Sequence, residues 1–434
     1  MRAPASGRPR VRGQRRLIGI AGAGIAGLTA ALALERKGYQ VRLFERRAAV
    51  PDTGAGIQIS PNAFHVLAGL NRDAGASSLG ALLQSVGFAP ERIDLRDGLL
   101  DKPLGAFQLG EAFRNRYGAP YLVLGRSDLA ALLLNACRAR SNIDITFGAR
   151  VVEAANHKNG VTVMVEAAGE SGTLEAREIT LMALVGADGV RSAVAGRVRG
   201  SEAAAFTGHI AWRGLIDKAD FPQNLRNTTT GLWQLPNAHV VHYPLFQGRM
   251  VNVVVVVPHH ISGAGNGGEN TVQAGGWLTH KERRLPPEVR EVLKSDGTAE
   301  PFQSIINSEG TWGAWPLFAH SRLGAWHTGA IGLVGDAAHA MVPYAAQGGC
   351  AAIEDAAVLA DAFEAHADNA SAAFAAYAKA RKPRVARIMA LSRSNRRIYH
   401  HGGPMRIARN LVMRHAPAAF FEKRMDWLYG WRAG

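Results

Sequence analysis

Residues 17–45 constrain the fold of this chain more than any other stretch of the sequence. They read LIGIAGAGIAGLTAALALERKGYQVRLFE. An apolar strand from Leu17 to Ala21 runs into a glycine-rich turn, an alanine- and leucine-rich helix follows, and a second strand ends on Glu45. A strand, a Gly-x-Gly-x-x-Gly turn, a helix and a strand in this order predict a parallel βαβ unit that holds a dinucleotide.

The glycines of this turn each have a physical reason. Gly22 permits the tight turn, Gly24 lets a pyrophosphate approach the backbone, and Gly27 lets the helix pack closely on the sheet. The free N–H groups and the positive end of the helix then face the phosphates, and an acid at the end of the second strand accepts hydrogen bonds from a ribose. We expect cofactor contacts at Gly22, Gly24, Ala26, Gly27, Glu45 and Arg46.

A twin-arginine export signal is the specific alternative for this region, because Arg15 and Arg16 precede an apolar run. That alternative would discard the dinucleotide turn and leave Glu45 without a purpose. The run also continues into Glu35, Arg36 and Lys37 without a clean small-residue cleavage site. We therefore favour a folded βαβ unit, preceded by a basic, disordered arm at residues 1–16.

The composition is that of a globular protein. The chain has 434 residues, of which 47% are hydrophobic and 20% charged, so two or three domains are expected. Beyond the βαβ unit no uncharged apolar run reaches the roughly 18 residues of a membrane span. Two cysteines, Cys137 and Cys350, make no disulfide framework and favour a reducing, cytoplasmic setting. The 15 histidines lack the spacing of a metal site.

The formal net charge of +15 is concentrated in residues 1–16 and in the stretch from Arg381 to Arg414. Nucleic-acid binding is one interpretation, but no fold signature supports it and aromatic residues do not interleave with the basic ones. Attraction of small anions is another. Solubility alone also explains the charge, and we expect no nucleic-acid partner.

Two further buried strands end in chemically distinctive turns. The first runs from Ile179 to Val185 into Gly-Ala-Asp-Gly-Val-Arg-Ser, and the second runs from Ala330 to Val334 into Gly-Asp-Ala-Ala-His. Ligands bind outside the carboxyl ends of strands in α/β sheets, so both turns are candidate sites. Two further expectations concern helices. Ser127 is expected to cap a helix that starts at Asp128. The acidic residues Glu354 and Asp355 are expected to form a solvated or capping pair.

These three motifs together resemble those of the FAD-dependent aromatic hydroxylases, the class A flavoprotein monooxygenases. The segments GAGIQISPNA, FTGHIAWRG, VVHYPL, GDAAHAMVPYAAQGG and DWLYGWR are similar to the salicylate-hydroxylase-like branch. That branch also includes hydroxylases of 3-hydroxybenzoate and 6-hydroxynicotinate. The resemblance covers nearly the whole chain from Leu17 onward.

The resemblance implies an α/β fold of the aromatic hydroxylase and glutathione reductase type. A Rossmann-like FAD-binding domain carries an inserted, mainly antiparallel substrate domain and C-terminal helices. We expect the FAD-binding domain at 17–85, 109–195 and 325–434, and the substrate-binding domain at 86–108 and 196–324.

The resemblance also implies FAD as cofactor, with NADH or NADPH, O₂ and a small, anionic aromatic molecule as substrates. In the family, a C4a-hydroperoxyflavin delivers oxygen to an activated aromatic ring, and Pro343 would face the edge of the flavin ring where oxygen adds. Asp188 and Gly189 match the motif implicated in pyrophosphate and nicotinamide binding, and Asp336 matches the acid on the ribityl chain. The further FAD contacts implied are Gly56, Arg126, Gly335, Gly348 and Gly349.

A substrate pocket is expected on the strand from Asn237 to Pro244. Alternation places His239 and Tyr243 on one face and His242 on the other. A base beside a ring hydroxyl would form the phenolate, and relatives have a His and a Tyr four apart in the pocket, which favours His239 with Tyr243. A histidine merely satisfied by a neighbour explains His239 equally well. Further substrate candidates are Gln58, Arg213 and His320.

Several alternatives stay open. Arg213 could hold a carboxylate or form a sheet-edge ion pair. A related hydroxylase of a membrane-borne quinone precursor could lie on anionic lipid through the basic stretch from Arg381 to Arg414. A nucleic-acid-binding protein that retains a flavin fold is a third class. The sequence is compatible with a monomer or a homodimer and does not choose between NADH and NADPH, nor the ring position attacked.

Overall fold

The computed structural model describes residues 16–50, 56–70, 78–168, 174–200, 202–225, 230–259, 282–294 and 300–434. The predicted basic arm therefore lies outside the described residues except for Arg16. The strands are β1 Leu17–Ala21, β2 Gln40–Glu45, β3 Gly56–Ile59, β4 Arg92–Asp97, β5 Lys102–Gln108, β6 Leu122–Gly125, β7 Ile143–Phe147, β8 Ala149–His157, β9 Gly160–Ala168, β10 Leu174–Leu181, β11 Ala183–Gly186, β12 Ala205–Asp217, β13 Thr230–Leu235, β14 Ala238–Leu245, β15 Met250–Pro258, β16 Thr311–Ala319, β17 His327–Thr328 and β18 Ile331–Leu333.

The helices lie mainly in the first half of the chain and at its C-terminal end. They are α1 Ile25–Arg36, α2 Pro61–Leu70, α3 Leu79–Val86, α4 Glu111–Tyr117, α5 Arg126–Arg138, α6 Ala193–Arg199, α7 Pro287–Leu293, α8 Glu300–Asn307, α9 Asp336–His339, α10 Gly348–Ala365, α11 Ala370–Tyr399, α12 Gly403–His415 and α13 Ala418–Tyr429.

A six-stranded sheet in the order β17-β18-β11-β1-β2-β7 forms the first half of the architecture. All neighbours are parallel except β17 and β18. The register pairs Ala21 with Gly186, and Gly186 with Leu333. The three motif-bearing strands are therefore adjacent and end at the same edge, because parallel strands share the direction of their carboxyl ends.

The turn after β1 can be made only with glycine at two positions. Gly22 has a φ of +105°, in the region that side chains disfavour. A Cβ on Gly27 would lie 1.9 Å from the carbonyl oxygen of Gly22. The glycines therefore bring the start of α1 against the strand end, as the sequence predicted.

A seven-stranded sheet in the order β16-β12-β15-β14-β13-β4-β5 forms the second half. It is antiparallel except where β13 lies parallel to β4. Alternate side chains of one face, such as Trp212, Val240 and Val255, pack with Val289 of α7 and Phe302 of α8 in an apolar core. The predicted α/β class with a mainly antiparallel second sheet is confirmed.

The C-terminal helices pack against both sheets. α10 packs against α1 of the first sheet and against α11. α11 is 30 residues long and continues through Pro383. A smaller correction concerns α5, which begins at Arg126 with Gly125 as its N-cap, so Ser127 is not the cap. Within the described residues no helix is long and apolar enough to cross a membrane.

Replacing Gly27 by alanine is expected to destabilise the protein. The new Cβ would meet backbone, the Gly22 carbonyl oxygen, rather than a side chain that can move aside. We expect the free energy of unfolding, measured with urea on the apoprotein, to fall by about 1–3 kcal/mol. Gly24→Ala is the matched control, since a Cβ there meets no atom within 4 Å. An equal loss for both variants would contradict this explanation of the turn.

Candidate active site

Open space lies over the shared strand edge of the first sheet. A Cβ built on Gly24 meets nothing within 4 Å, and Gly24 is exposed although its neighbours Ala23 and Ile25 are buried. Asp336 is likewise exposed between buried residues. Gly24 is the N-cap of α1 and carries no side-chain cap, so the helix start presents free N–H groups. This edge fits the diphosphate of FAD.

Glu45 lies beside this turn at the end of β2. One carboxylate oxygen accepts the Ala23 N–H at 2.8 Å and the other accepts the Arg47 N–H at 3.0 Å. Two backbone hydrogen bonds therefore fix the acid where a ribose would meet it. Arg46 follows it. Burial lowers the pKa of Arg191, and the charge of Arg46 adds to that effect. Arg46 and Arg191 thus lie close enough for their charges to interact beside the end of β2.

Asp188 has a structural task that the motif alone did not reveal. Its carboxylate accepts the N–H of Ala193 at 2.8 Å and a hydrogen bond from Ser192 Oγ, which caps the start of α6. Burial raises the pKa of Asp188, and these hydrogen bonds oppose that rise. A contact with pyrophosphate therefore remains a prediction for the adjacent backbone, where Gly189 has a φ of +83°.

Asp355 holds the turn after β18 in place through hydrogen bonds. One of its oxygens accepts the Gly335 N–H at 3.0 Å and lies 2.5 Å from His339 Nε2, while the other accepts Arg381 Nε at 2.7 Å. Burial by itself would raise the pKa of Asp355, but His339 and Arg381 outweigh it and lower that pKa strongly. The carboxylate stays ionised and holds the Gly335-Asp336 turn in place.

The neighbouring Glu354 completes a buried ion cluster. It pairs with Arg381 at 2.6 Å and with Arg384 at 2.6 Å, and it accepts a hydrogen bond from Asn62 at 2.6 Å. Both acidic side chains are 0% exposed, so the expectation that Glu354-Asp355 is solvated or capping is wrong. The reason is that α11 supplies the counter-charges, which the pattern of α10 alone cannot reveal.

The start of α10 fits the pyrimidine end of a flavin. Its N-cap, Gln347, makes no side-chain cap and instead donates to Ser60 Oγ at 2.9 Å. The N–H groups of Gly348 and Gly349 therefore lie in an uncapped first turn. A Cβ on Gly349 would lie 2.8 Å from Ile57, so glycine lets β3 approach this turn closely.

The second sheet turns one chemically distinctive face toward the first. Directly paired residues of neighbouring strands project to the same face. His239 pairs through Val256 with Ala211, and Arg213 pairs through Val254 with Val241. His239, Tyr243 and Arg213 therefore share the face opposite the apolar core, as alternation predicted for His239 and Tyr243. His242 lies on the other face, where it accepts Trp233 Nε1 at 3.1 Å.

His239 is 3% exposed and lies next to the turn at Pro343. Its ring centroid is 5.1 Å from that of Tyr344, and its Nδ1 lies 2.9 Å from His400 Nε2. Burial lowers the pKa of His239 well below 6.5, and His400 and His209 lower it further. The ring is therefore neutral at pH 7 and has one nitrogen lone pair with which to accept a proton.

Helix α11 holds the Pro343 turn against this face. Ser392 Oγ donates to the Val342 carbonyl at 2.6 Å, and Asn395 Nδ2 donates to the Tyr344 carbonyl at 3.0 Å. These bonds flank Pro343, which starts a short 3₁₀ turn. The turn is therefore fixed between the long helix and the His239 strand.

Gly56 lies between the two sheets and contacts the face of the second sheet that bears His239 and Tyr243. Its N–H donates to Asn252 Oδ1 at 3.2 Å, and a Cβ on it would lie 2.5 Å from the Tyr243 ring. The close approach that glycine permits here is therefore to Tyr243, and a contact of Gly56 with FAD stays a prediction. Burial raises the pKa of Tyr243 to about 12, so its hydroxyl stays protonated.

Arg213 lies on the same face and stacks on Trp315, with its guanidinium carbon 5.3 Å from the ring centroid. Its Nε is enclosed and has no hydrogen-bond partner among the described residues. Burial lowers the pKa of Arg213, and the ionisable groups that act on it are Tyr243 and Arg126 rather than a carboxylate. Among the described residues, Arg213 therefore forms no sheet-edge ion pair.

The remaining candidates have other partners. Gln58 Oε1 accepts the hydroxyl of Tyr121. His320 Nε2 lies 3.1 Å from Arg199 Nη1, and burial followed by the charge of Arg199 lowers its pKa to about 4. This contact joins His320 to α6 rather than to the His239 group. Arg126 is exposed at the start of α5, and its charge reaches Arg213.

The family follows from sequence comparison. A profile described as FAD binding domain matches residues 16–392. Over 416 residues the chain is 33% identical to the 3-hydroxybenzoate 6-hydroxylase of Polaromonas naphthalenivorans (strain CJ2), covering 96% of each chain. The chain belongs to the FAD-dependent aromatic hydroxylases. This confirms the family that the three motifs resemble.

Further similarities extend across the whole length. The chain is 32% identical over 433 residues to the 3-amino-4-hydroxybenzoate 2-monooxygenase PtmB3 of Streptomyces platensis, covering 98% of each chain. The crystal structure of Klebsiella pneumoniae HpxO complexed with FAD and uric acid has a TM-score of 0.76 at 24% identity, covering 96% of this chain and 97% of that one. The structural likeness supports the hydroxylase fold.

Part of the basic stretch of this hydroxylase forms internal ion pairs and hydrogen bonds. Arg381 is 1% exposed within the ion cluster, and Arg384 pairs with the same glutamate. Arg406 pairs with the buried Asp97 at 2.5 Å, and Arg409 donates to two carbonyls at the end of α11. These four cations stabilise the helices and are not available to a lipid surface, whereas Arg387, Arg393, Arg397 and Arg414 of the same stretch are exposed.

Removing Arg381 is expected to destabilise the hydroxylase far more than removing a surface arginine. Arg381→Met leaves two buried carboxylates without this partner, and breaking a buried pair in this way costs about 3–5 kcal/mol. Arg322→Met is the control, because Arg322 is 80% exposed and its pair with Glu202 is worth at most about 1 kcal/mol. Urea unfolding of both variants measures the difference, and equal losses would contradict the role of the cluster.

Proposed function

We propose that this hydroxylase uses FAD, O₂ and NADH or NADPH to hydroxylate a hydroxybenzoate. One observation carries the proposal. A single sheet face bears a neutral histidine and a guanidinium that has no carboxylate partner among the described residues, and this face lies against the Pro343 turn. The relatives named above act on 3-hydroxybenzoate and on 3-amino-4-hydroxybenzoate by their names. Each of these molecules carries a carboxylate and a ring hydroxyl.

The first sheet would hold FAD. The turn at Gly22, Gly24 and Gly27 would take the diphosphate, Glu45 the ribose, and Asp336 the ribityl chain. The N–H groups of Gly348 and Gly349 would face the pyrimidine end of the flavin. The bound flavin supplies the redox chemistry and the activation of O₂, while the protein binds, orients and excludes water.

Arg213 is the proposed partner of the substrate carboxylate. A buried cation without a counter-charge is unfavourable, and a bound carboxylate removes that cost through charge-assisted hydrogen bonds. The stacking on Trp315 orients the guanidinium, and its enclosed Nε has no hydrogen-bond partner among the described residues. An anionic ligand is therefore preferred over a neutral one of the same shape.

His239 is the proposed base for the ring hydroxyl. A phenolate is a better nucleophile than a phenol toward an electrophilic oxygen, so removal of this proton favours ring hydroxylation. The neutral state of His239 gives it a free lone pair at pH 7. Tyr243, whose pKa is raised, would contribute a hydroxyl that donates rather than accepts a proton.

The spacing of these groups favours 3-hydroxybenzoate over salicylate. Arg213 lies on β12 and His239 on β14, with β15 between them. Two strand spacings amount to about 10 Å. In salicylate the carboxylate and the hydroxyl occupy neighbouring ring carbons, which is a poor match to separated partners. A meta or para arrangement fits better.

The test of this function is direct. The purified protein is expected to be yellow with bound FAD and to oxidise NADH or NADPH faster when 3-hydroxybenzoate is added, with formation of a dihydroxybenzoate seen by chromatography. Salicylate and 6-hydroxynicotinate are the comparison substrates. Protein that cannot bind FAD would overturn the proposed cofactor. Stimulation by none of these acids would overturn the substrate class.

Arg213→Met is expected to weaken the binding of anionic substrates selectively. Loss of a charge-assisted pair in an enclosed site costs about 2–3 kcal/mol, so KM for 3-hydroxybenzoate should rise about 30-fold or more. Binding of 3-hydroxybenzyl alcohol, which has no carboxylate, should change little. Steady-state oxidation assays measure both. An equal effect on the two compounds would show that Arg213 acts by packing rather than by charge.

A further inference from the structure

His400 touches the proposed base but lies far from it in the chain. It follows the last residue of α11, and its backbone carbonyl accepts the N–H of Asn237 at 3.1 Å. Asn237 is in the tight turn between β13 and β14 and has a φ of +59°. The end of the helix is therefore tied to the hairpin that carries His239, which fixes the position of the His400 ring.

The two imidazole rings make one specific contact. His400 Nε2 lies 2.9 Å from His239 Nδ1, and the ring centroids are 5.2 Å apart. Tyr344 packs edge-on against His400 at 5.6 Å, and His209 lies 5.8 Å from it. His239 is buried, whereas His400 is partly exposed. The pair thus runs from the enclosed sheet face toward the surface.

A hydrogen bond between two neutral imidazoles has only two arrangements, since each ring has one donor and one acceptor nitrogen. When His239 donates from Nδ1, its Nε2 carries the lone pair and can accept a proton. When His400 donates instead, His239 Nε2 is protonated and cannot act as a base. The partner ring therefore decides whether His239 has a basic nitrogen to offer the substrate.

We propose that His400 is a positioning residue that holds His239 with its lone pair at Nε2 and receives the proton that His239 gives up. This rests on the proposed function of His239 as the base. The phenol proton moves to His239 Nε2, which leaves a phenolate. The Nδ1 proton of the same ring then moves to His400 Nε2, so His239 is neutral again. His400 releases the proton of its Nδ1 to solvent on its exposed side, so charge and protons balance. The pair returns to its first arrangement when the ring oxygen of the product takes the proton from His239 Nε2, because His400 Nε2 then gives its proton back to His239 Nδ1 and His400 Nδ1 takes one from solvent.

The surroundings favour neutral rings between transfers. Burial lowers the pKa of His400 to about 3, and the nearby His209 and the cation Arg396 lower it further. The ionisable side chains of Tyr344 and Tyr399 also pack against this pair of histidines, and burial raises the pKa of both hydroxyls. Neither ring retains a proton at pH 7, so a proton passes along the pair without being trapped.

Two variants separate the two tasks of His400. In His400→Gln the amide oxygen can still accept from His239 Nδ1 but cannot carry a proton onward, and in His400→Ala both abilities are lost. Nitrogen-15 NMR of histidine-labelled holoenzyme is expected to give His239 protonated at Nδ1 in the wild type and in His400→Gln, and a mixture of tautomers in His400→Ala. The kcat for 3-hydroxybenzoate hydroxylation should fall about tenfold or more in both, with KM nearly unchanged.

Added imidazole provides the decisive control. It should restore part of kcat in His400→Ala, where the space of the ring is vacant, and not in His400→Gln. His401→Ala, at the same helix end, should behave as wild type. Wild-type kcat and tautomer in His400→Ala would overturn the proposal, as would a loss that imidazole never restores. If His400→Ala fails to fold, the kcat of His400→Gln decides. If the tautomer depends on His400 but the wild type hydroxylates no phenol, the proposed function fails and the positioning role stands.

Discussion

The buried ion cluster of Arg381 with Glu354 and Asp355 is the interaction on which both halves of the site depend. Removing charges from water is costly, and these groups recover that cost only because every partner is in place. The cluster holds α11 against α10 and holds the Gly335 turn from below. The same helix fixes the Pro343 turn further along and ends beside His239. One helix therefore sets the distance between the strand edge of the first sheet and the His239 face of the second sheet.

The two sheets divide the work according to their geometry. A parallel sheet collects strand ends at one edge, which brings three distant glycine-rich turns together around a dinucleotide. An antiparallel sheet instead offers a broad face on which every second side chain points the same way. That face carries His239 and Arg213, while the opposite face forms an ordinary apolar core. The proposed reaction takes place where the edge and the face meet, at the Pro343 turn.

The sequence predicted what local rules determine. The sequence motif predicted that the backbone comes too close at Gly27 for a side chain, and strand alternation predicted the face on which His239 lies. It could not predict interactions between distant segments. The pairs of Glu354 with Arg381 and of His239 with His400 join separate elements, so the sequence could not show which cations of the basic stretch are buried. The close approach of Gly56 to Tyr243 likewise joins separate elements, and the contact of Gly56 with FAD stays a prediction.

The state of Arg213 explains why such a site would select its ligand by charge. Among the described residues this guanidinium stacks on Trp315 and has no carboxylate partner, so it is stabilised less than one in an ion pair, and burial already lowers its pKa. The free protein therefore carries an electrostatic cost that an anionic ligand relieves and a neutral ligand does not. Because the base lies two strands away, the same ligand must present its hydroxyl at a distance from its carboxylate. Charge and spacing together favour a hydroxybenzoate whose two groups are not neighbours on the ring.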